Sequence, residues 1–372
     1  MTPTLAIPAF SDRTLKRSIT AKDKQLALLL IGAGNVGSAL LTLLEKRRHE
    51  CAANIKVCAI ANSRRFVKDP EGLDLRNWTR HLGESTNQTY LPDLVALTRR
   101  FERENVAVVD CTASPNVVDT YTAFIESGAH VVTPNKRANV LPWNRYRALM
   151  DCFSGHGRRF FYSTNVGAGL PVLSTLADLI ASGDTIHKIE GIFSGTLSYL
   201  FSRYDGSTPF SSILREAHQN GFTEPDPRLD LSGADVATKL LVLARQLGWK
   251  MELESVQVQN LLDRKIRGDF SDRFYKNCSL LDRSFAKLYA EAANQGSVLR
   301  YVATLEEGRA TARLETVPRN HPLANTRYTD NVVAFYTERY CRTPLVIQGP
   351  GAGPEVTAAG VLADILRLMR QL

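Results

Sequence analysis

Hydrophobic and polar positions fall into two rhythms along the chain. Over residues 25–31, 55–61, 106–111 and 130–133 the apolar positions are nearly continuous, as in parallel strands buried on both faces. Helical segments follow the first run over 38–48, the third from Pro115 to a stop at Gly128, and the fourth from Pro142 to about 153. A short run at 159–162 completes the alternation. Strand and helix in turn predict an α/β unit over residues 25–163. Beyond it the rhythm changes. Strand-like runs at 188–193, 256–261, 298–305, 311–317 and 332–338 gather beside helical segments and predict an α+β unit over 164–340. A strand at 345–347, a glycine turn and a helix over 355–370 predict that residues 341–372 return to the first unit and complete it. Residues 1–24 carry Pro3, Pro8 and scattered charges without periodicity and read as a flexible leader.

The joint after the first run is the most specific local signal. Gly32-Ala33-Gly34-Asn35-Val36-Gly37 stands between a buried strand and a helix, the context in which G-x-G-x-x-G binds a dinucleotide. The glycines allow a tight turn and close approach of a pyrophosphate to the amides of a helix N-terminus. The second strand ends at Ala61 and runs into Asn62-Ser63-Arg64-Arg65. NAD-selective members of this fold place an acidic residue there, whereas a hydroxyl and two guanidiniums suit the 2′-phosphate of NADP. Two solvated arginines in a loop would read the same way. Thr112, Ser114 and Lys136 occupy carboxyl ends of strands, where ligands of open α/β sheets lie. Ser114 and Pro115 also suit a helix start, and Lys136 equally suits a surface.

A second signal is the stretch from Gly221 to Lys239. It places Glu224, Asp226, Asp230 and Asp235 with Arg228 and Lys239 in a loop stiffened by Pro225 and Pro227, then enters a helix. Start signals at Ser232 and a stop at Gly248 predict that helix, with Val236, Leu240, Leu243 and Leu247 as its apolar stripe. Asp235 and Lys239, four apart at the stripe's edge, would hold a carboxylate and an amine side by side, half buried. That arrangement suits a proton carrier. It equally suits an ordinary surface pair, and Ser232-x-x-Asp235 fits a capping box that needs no substrate.

Composition narrows the field. A chain of 372 residues exceeds what one core usually organises, so two or three domains are expected. Its net charge of +8 permits anionic ligands, but the basic residues are spread out, with no run or aromatic-interleaved patch that would point to nucleic acid. Cys51, Cys58, Cys111, Cys152, Cys278 and Cys341 form no C-x-x-C pair and mostly sit in apolar runs, which suits free thiols in a reducing compartment. No stretch approaches the ~18 apolar residues of a membrane span. A cytoplasmic protein is expected.

The Gly221–Lys239 stretch, with Asn165–Pro171, Ile192–Tyr199, Thr133–Lys136 and Gly349–Gly353, resembles homoserine dehydrogenase. The likeness is strongest to the dehydrogenase half of bifunctional aspartokinase–homoserine dehydrogenases and covers nearly everything from about residue 25 onward. It implies a Rossmann-type dinucleotide-binding domain, a substrate-binding and dimerisation domain, and a homodimer. The implied reaction is reversible reduction of L-aspartate 4-semialdehyde to L-homoserine, in threonine and methionine biosynthesis, with NADP as carrier and NAD as the alternative. By the same resemblance Gly32, Gly34, Asn35, Val36, Gly37, Ala61, Arg64, Thr112, Ser114, Lys136 and Gly353 meet the cofactor. Gly221, Glu224 and Asp230 meet homoserine, and Lys239, Asp235 and Lys136 serve proton transfer. Some members hold a sodium ion with a glutamate and backbone carbonyls. Here Ser163 takes the glutamate's place, leaving the carbonyls of Val166, Ala168 and Leu170. The length leaves no room for an aspartokinase half, so regulation through such modules is not expected. Two rivals remain: a nucleotide sensor without turnover, and a semialdehyde oxidoreductase using Cys111 as nucleophile.

Overall fold

The computed structural model describes residues 25–48, 54–101, 105–262 and 272–372; the leader expected over 1–24, and Cys51, lie outside the described residues. Two six-stranded sheets organise it. The first runs β3-β2-β1-β4-β5-β6, from β1 (Leu26–Ile31), β2 (Ile55–Ala61), β3 (Phe66–Lys68), β4 (Asn105–Asp110), β5 (Ala129–Val132) and β6 (Phe160–Phe161). All neighbours pair in parallel except β3, an antiparallel edge strand that the apolar pattern does not announce. β1 is buried at all six positions because helices cover both faces of the sheet. The strand order reverses at β1 and β4, which creates a crevice beyond their carboxyl ends.

Helix α1 (Asn35–Lys46) begins inside the glycine turn, three residues before the expected start. Gly32 has φ +98°, and a Cβ there would meet Thr112 Cγ2 at 2.7 Å, so only glycine lets the turn pass the end of β4. A Cβ on Gly37 would lie 2.1 Å from the Gly32 carbonyl oxygen, which lets helix and turn close on each other.

The second sheet runs β12-β11-β7-β9-β10-β8, from β7 (Ile186–Ile192), β8 (Gln257–Val258), β9 (Ser297–Glu306), β10 (Arg309–Pro318), β11 (Asp330–Thr337) and β12 (Leu345–Pro350). It is antiparallel apart from the short β8. The last strand therefore belongs to this sheet, and the chain returns to the first unit with the helix Pro354–Gln371. Val361, Leu362, Ile365 and Leu368 of that helix are buried in one cluster with Leu40, Leu41 and Leu44 of α1. Each such side chain contributes roughly 1.5–3 kcal/mol by leaving water.

The acidic stretch folds differently from its capping-box reading. Asp226 accepts from the Arg228 amide and caps a short helix, Pro227–Leu231, with Pro227 at its first position. Gly233 then takes a left-handed conformation, φ +73°, and the main helix runs Ala234–Gln246. A Cβ on Gly233 would lie 2.3 Å from the Tyr301 hydroxyl, so the break is imposed by packing. The Asp235 carboxylate caps nothing, being engaged by two lysines.

Arg245, near the far end of this helix, ties the units together. Its guanidinium donates to the carbonyls of Asn139 and Leu141 in the first unit, at 2.9 and 2.8 Å, and to those of Met251 and the Glu252 carboxylate. It also lies 4.6 Å from the ring centroid of Tyr146.

Gly37→Ala tests the close approach of turn and helix. It should lower stability by about 1–3 kcal/mol in denaturant unfolding and weaken dinucleotide binding; unchanged unfolding and binding would contradict it.

Candidate active site

At the turn Gly32–Gly37, a Cβ on Gly34 would meet nothing within 4 Å, in contrast to Gly32 and Gly37. The middle glycine therefore leaves a backbone face open. Helix α1 has no side-chain cap at Gly34, so its first amides are left for a ligand. An open glycine face beside uncapped amides fits the pyrophosphate of a dinucleotide.

The loop after Ala61 separates its two arginines. Asn62 Oδ1 accepts the amides of Arg64 and Arg65, both at 2.8 Å, and fixes the turn. The Arg65 guanidinium donates to the Gly83 carbonyl. Of the two guanidiniums expected for a phosphate, only that of Arg64 is exposed without a hydrogen-bond partner among the described residues. It lines an open depression of about 590 Å³ with Arg65, Glu84, Ser85, Thr86 and Gln88.

The carboxyl ends of β4 and β5 are organised by a residue whose role the apolar pattern hides. Asp110 is fully buried. Its Oδ1 accepts from the Thr112 amide (2.8 Å) and hydroxyl (2.6 Å), and its Oδ2 from the Tyr121 hydroxyl (2.6 Å) and Asn135 Nδ2 (3.0 Å). Ser114 is tied in through its amide to Thr112 Oγ1 and its carbonyl from Asn135. Ser114 does not cap its helix with its side chain, and that helix breaks at Thr120. Burial pushes the Asp110 carboxyl above its usual range despite these bonds. A raised folded-state pKa means that the ionised carboxylate costs stability above that pKa, a cost that disappears as pH falls towards the unfolded value. Asp110 is thus retained for the geometry it imposes. Burial, reinforced by Asp110, also pushes the Cys111 thiol far up, opposite to what a nucleophilic cysteine needs.

Across the crevice, Asp235 is held between two lysines. Lys136 Nζ donates to its Oδ1 at 2.9 Å and Lys239 Nζ pairs with its Oδ2 at 2.8 Å. The Lys239 side chain is 11% exposed, against 51% for Asp235, and Lys239 Nζ also donates to the Phe193 carbonyl at 2.5 Å. Burial lowers the Lys239 pKa; the Lys136 charge acts in the same direction, and Asp235 offsets only part. Burial would raise the Asp235 carboxyl, but the charges of Lys239 and Lys136 outweigh it and hold it well below the usual carboxylate range.

The acidic loop divides its labour. Asp226 is consumed by Arg228, whose Nη2 lies 2.6 Å from Oδ2. Asp230 Oδ1 accepts the Thr196 hydroxyl at 2.7 Å and Oδ2 the Glu224 amide at 2.9 Å, so it shapes the loop from within. Burial, opposed by these bonds and assisted by Glu224 and Asp235, pushes its carboxyl up. The Glu224 carboxylate is exposed and has no partner among the described residues. The Gly221 amide closes the preceding helix on the His218 carbonyl at 3.0 Å, with φ +71°. Gly353 is the N-cap of the final helix at φ +119°, with open space where a Cβ would be. Thr196 and the Phe193 carbonyl join the site from the segment Ile192–Tyr199, which carries part of the family resemblance but points to no particular site residue.

The carbonyls expected to hold a sodium ion, those of Val166, Ala168 and Leu170, follow Ser163 in the chain. The Leu170 carbonyl accepts the Val172 amide at 2.8 Å. Ser163 offers no carboxylate, and its hydroxyl accepts from Arg367. Val166 and Ala168 contribute only backbone, and among the described residues no group of three His, Cys, Asp or Glu side chains could hold a metal.

Comparisons with known proteins agree on one family. The family model for homoserine dehydrogenase matches residues 171–366, and that for the homoserine dehydrogenase NAD-binding domain matches 32–163. The chain is 42% identical over 352 residues to a bifunctional aspartokinase/homoserine dehydrogenase of Buchnera aphidicola, covering 93% of this chain and 43% of that protein. It thus spans less than half the length of that relative. A Candida auris protein described as of unknown function superposes with a TM-score of 0.87 at 32% identity, covering 94% of this chain and 99% of that one. Homoserine dehydrogenase from Thermoplasma acidophilum shares the fold, with a TM-score of 0.69 at 22% identity over 93% of this chain and all of that one.

Asp110→Asn keeps the shape but loses acceptors for two of the four donors. Dinucleotide affinity, measured by fluorescence quenching, should fall about tenfold, or ~1.4 kcal/mol, alongside a loss of about 1–3 kcal/mol of folding stability from the buried donors left unpaired. An unaltered affinity would remove Asp110 from the site.

Proposed function

The chain belongs to the homoserine dehydrogenase family, and we propose on that premise that it interconverts L-aspartate 4-semialdehyde and L-homoserine. The observation that carries this reading is the meeting of Lys136, from a strand end of the first unit, and Lys239, from the second, on the single carboxylate of Asp235. When bound, a nicotinamide dinucleotide supplies the hydride in reduction and takes it in oxidation.

The protein's part is to bind, orient and move a proton. Lys239 as an ammonium has three N–H groups. Phe193 and Asp235 take two, which leaves one for a substrate oxygen. In reduction, negative charge develops on the aldehyde oxygen, and that N–H stabilises it and transfers its proton. The lowered pKa makes Lys239 a better donor than an ordinary lysine. It also brings the neutral amine, needed to accept the hydroxyl proton in oxidation, to lower pH. Glu224 offers its free carboxylate to the substrate's ammonium, with Asp230 and Gly221 shaping the loop beneath it. Gly32, Gly34, Asn35, Val36, Gly37 and Ala61, with Thr112, Ser114 and Gly353, line the dinucleotide's path.

NADP is the preferred carrier in this reading, which is supported by an Arg64 guanidinium without a hydrogen-bond partner among the described residues and by the lack of an acidic side chain directly after Ala61. Assembly as a homodimer through the second unit is supported by the family resemblance. A cytoplasmic location is supported by Cys111, Cys152, Cys278 and Cys341, which form no disulfide among the described residues. None of the described helices is long and apolar enough to cross a membrane.

Turnover of homoserine with NADP, and of the semialdehyde with NADPH, tests the reading; binding of dinucleotide without turnover would replace it with the sensor. Lys239→Ala should lower kcat by about 10²–10⁴-fold with little change in KM. The acidic limb of kcat for homoserine oxidation should lie below the range of an ordinary lysine, and Lys136→Met should move it to higher pH by removing the like charge. A limb unmoved in Lys136→Met would detach it from Lys239. Arg64→Ala should cut the ratio of NADPH to NADH efficiency by about tenfold or more, and a constant ratio would leave NADP preference without its base.

A further inference from the structure

The Phe193 carbonyl, just past β7, accepts two donors: Lys239 Nζ at 2.5 Å and Asn331 Nδ2 at 3.4 Å. Asn331 is fully buried on β11, next to β7, and pairs with Gly349 of β12 on the other side. Its Oδ1 is buried with no hydrogen-bond partner among the described residues. An unpaired acceptor of this kind costs about 1–3 kcal/mol, more than a packing role alone would justify. The chain then turns directly onto this side chain. A Cβ on Gly351 would lie 2.0 Å from Asn331 Cγ and 2.2 Å from its Nδ2, so residue 351 must be glycine for the asparagine to keep its place.

Building on the reading of Lys239 as proton carrier, we propose that Asn331 is a positioning residue coupling the Gly349–Gly353 turn to the Lys239 head group through the shared Phe193 carbonyl. The turn ends at Gly353, the cap of the helix that packs against α1 in the dinucleotide-binding unit, so the path joins that unit to the proton donor. The electrostatics give the coupling a sign. The positive end of the Asn331 N–H dipole points at the oxygen that also holds the ammonium, and this weakens that oxygen's grip on the charge. The charged groups acting on Lys239 are Asp235, Lys136 and, further off, Asp230. All remain when Asn331 is replaced, so a change in Lys239 titration reports the carbonyl.

The test follows the ¹⁵Nζ resonance of Lys239, assigned by its loss in Lys239→Met, through a pH titration. Wild type, Asn331→Leu, Gly351→Ala and the double variant are compared. Each single variant should raise the Lys239 midpoint by about half to one pH unit. The double should go no further than the larger single, as expected when both act through one contact. In homoserine oxidation the acidic limb of kcat should move in the same direction, and kcat should fall about tenfold with KM for homoserine nearly constant. The titration needs no turnover, so inactivity of the wild type would count against the functional reading and leave this coupling separately measured. A Lys239 midpoint unmoved in a variant with native far-UV circular dichroism overturns the proposal, as do additive shifts in the double. Should Asn331→Leu fail to fold, Gly351→Ala and Asn331→Ser carry the same comparison, with the same outcomes deciding it.

Discussion

Two ammonium groups from two structural units share the carboxylate of Asp235, and the form of the crevice follows from that sharing. Two like charges drawn to one carboxylate repel each other. Without the carboxylate between them, Lys136 and Lys239 would move apart or one would lose its proton. With it, Lys239 can be buried and remain an acid, because its charge is compensated only partly. A fully paired lysine would hold its proton too firmly, and an unpaired one in that position would be neutral. The third charge sets the balance.

The supports on the two sides differ in kind. On the first unit a buried carboxylate, Asp110, gathers four donors and fixes Thr112, Asn135 and through them the segment that carries Lys136. On the second unit the fixing is done by backbone: the Phe193 carbonyl, the left-handed Gly233 and the packing of Tyr301 against it. The loop of acids combines both, with Asp226 and Asp230 engaged in building it and Glu224 left exposed. A stretch with four carboxylates therefore presents one free charge, together with Asp235 in its own ion pairs.

Much of this was legible in the sequence where one residue type answers one geometric need. Gly32, Gly34 and Gly37 could be assigned from the strand and helix on either side, and the buried parallel strands from their unbroken apolar runs. Other features escaped because their signal is ambiguous or distant. Asp110 looks like the polar end of a strand, and only the fold brings Tyr121 and Asn135 to it. Arg64 and Arg65 are indistinguishable until Arg65 finds the Gly83 carbonyl. Ser232 suggested a helix start that tertiary contact moved to Gly233, since nothing local reveals the Tyr301 hydroxyl. The helix Asp272–Asn294 went unread although Phe274, Cys278, Leu281, Phe285 and Ala292 keep one buried face at helical spacing. The intervening charges diluted it.

Arg245 gives the helix Ala234–Gln246 a further property. Its guanidinium holds the carbonyls of Asn139 and Leu141, while Asp235, ten residues earlier on the same helix, holds Lys136. One segment of the first unit is thus fastened at both ends to one helix of the second, over a span of about 15 Å at 1.5 Å per residue. The helix serves as a ruler for the crevice, and its length matters more than the identity of most residues between the marks. Leu240, Leu241 or Val242 can be exchanged for side chains of similar volume without changing the spacing. One inserted or deleted residue rotates the second mark by about 100° relative to the first. Drift in this protein's sequence can proceed by replacement there, and by change of length only elsewhere.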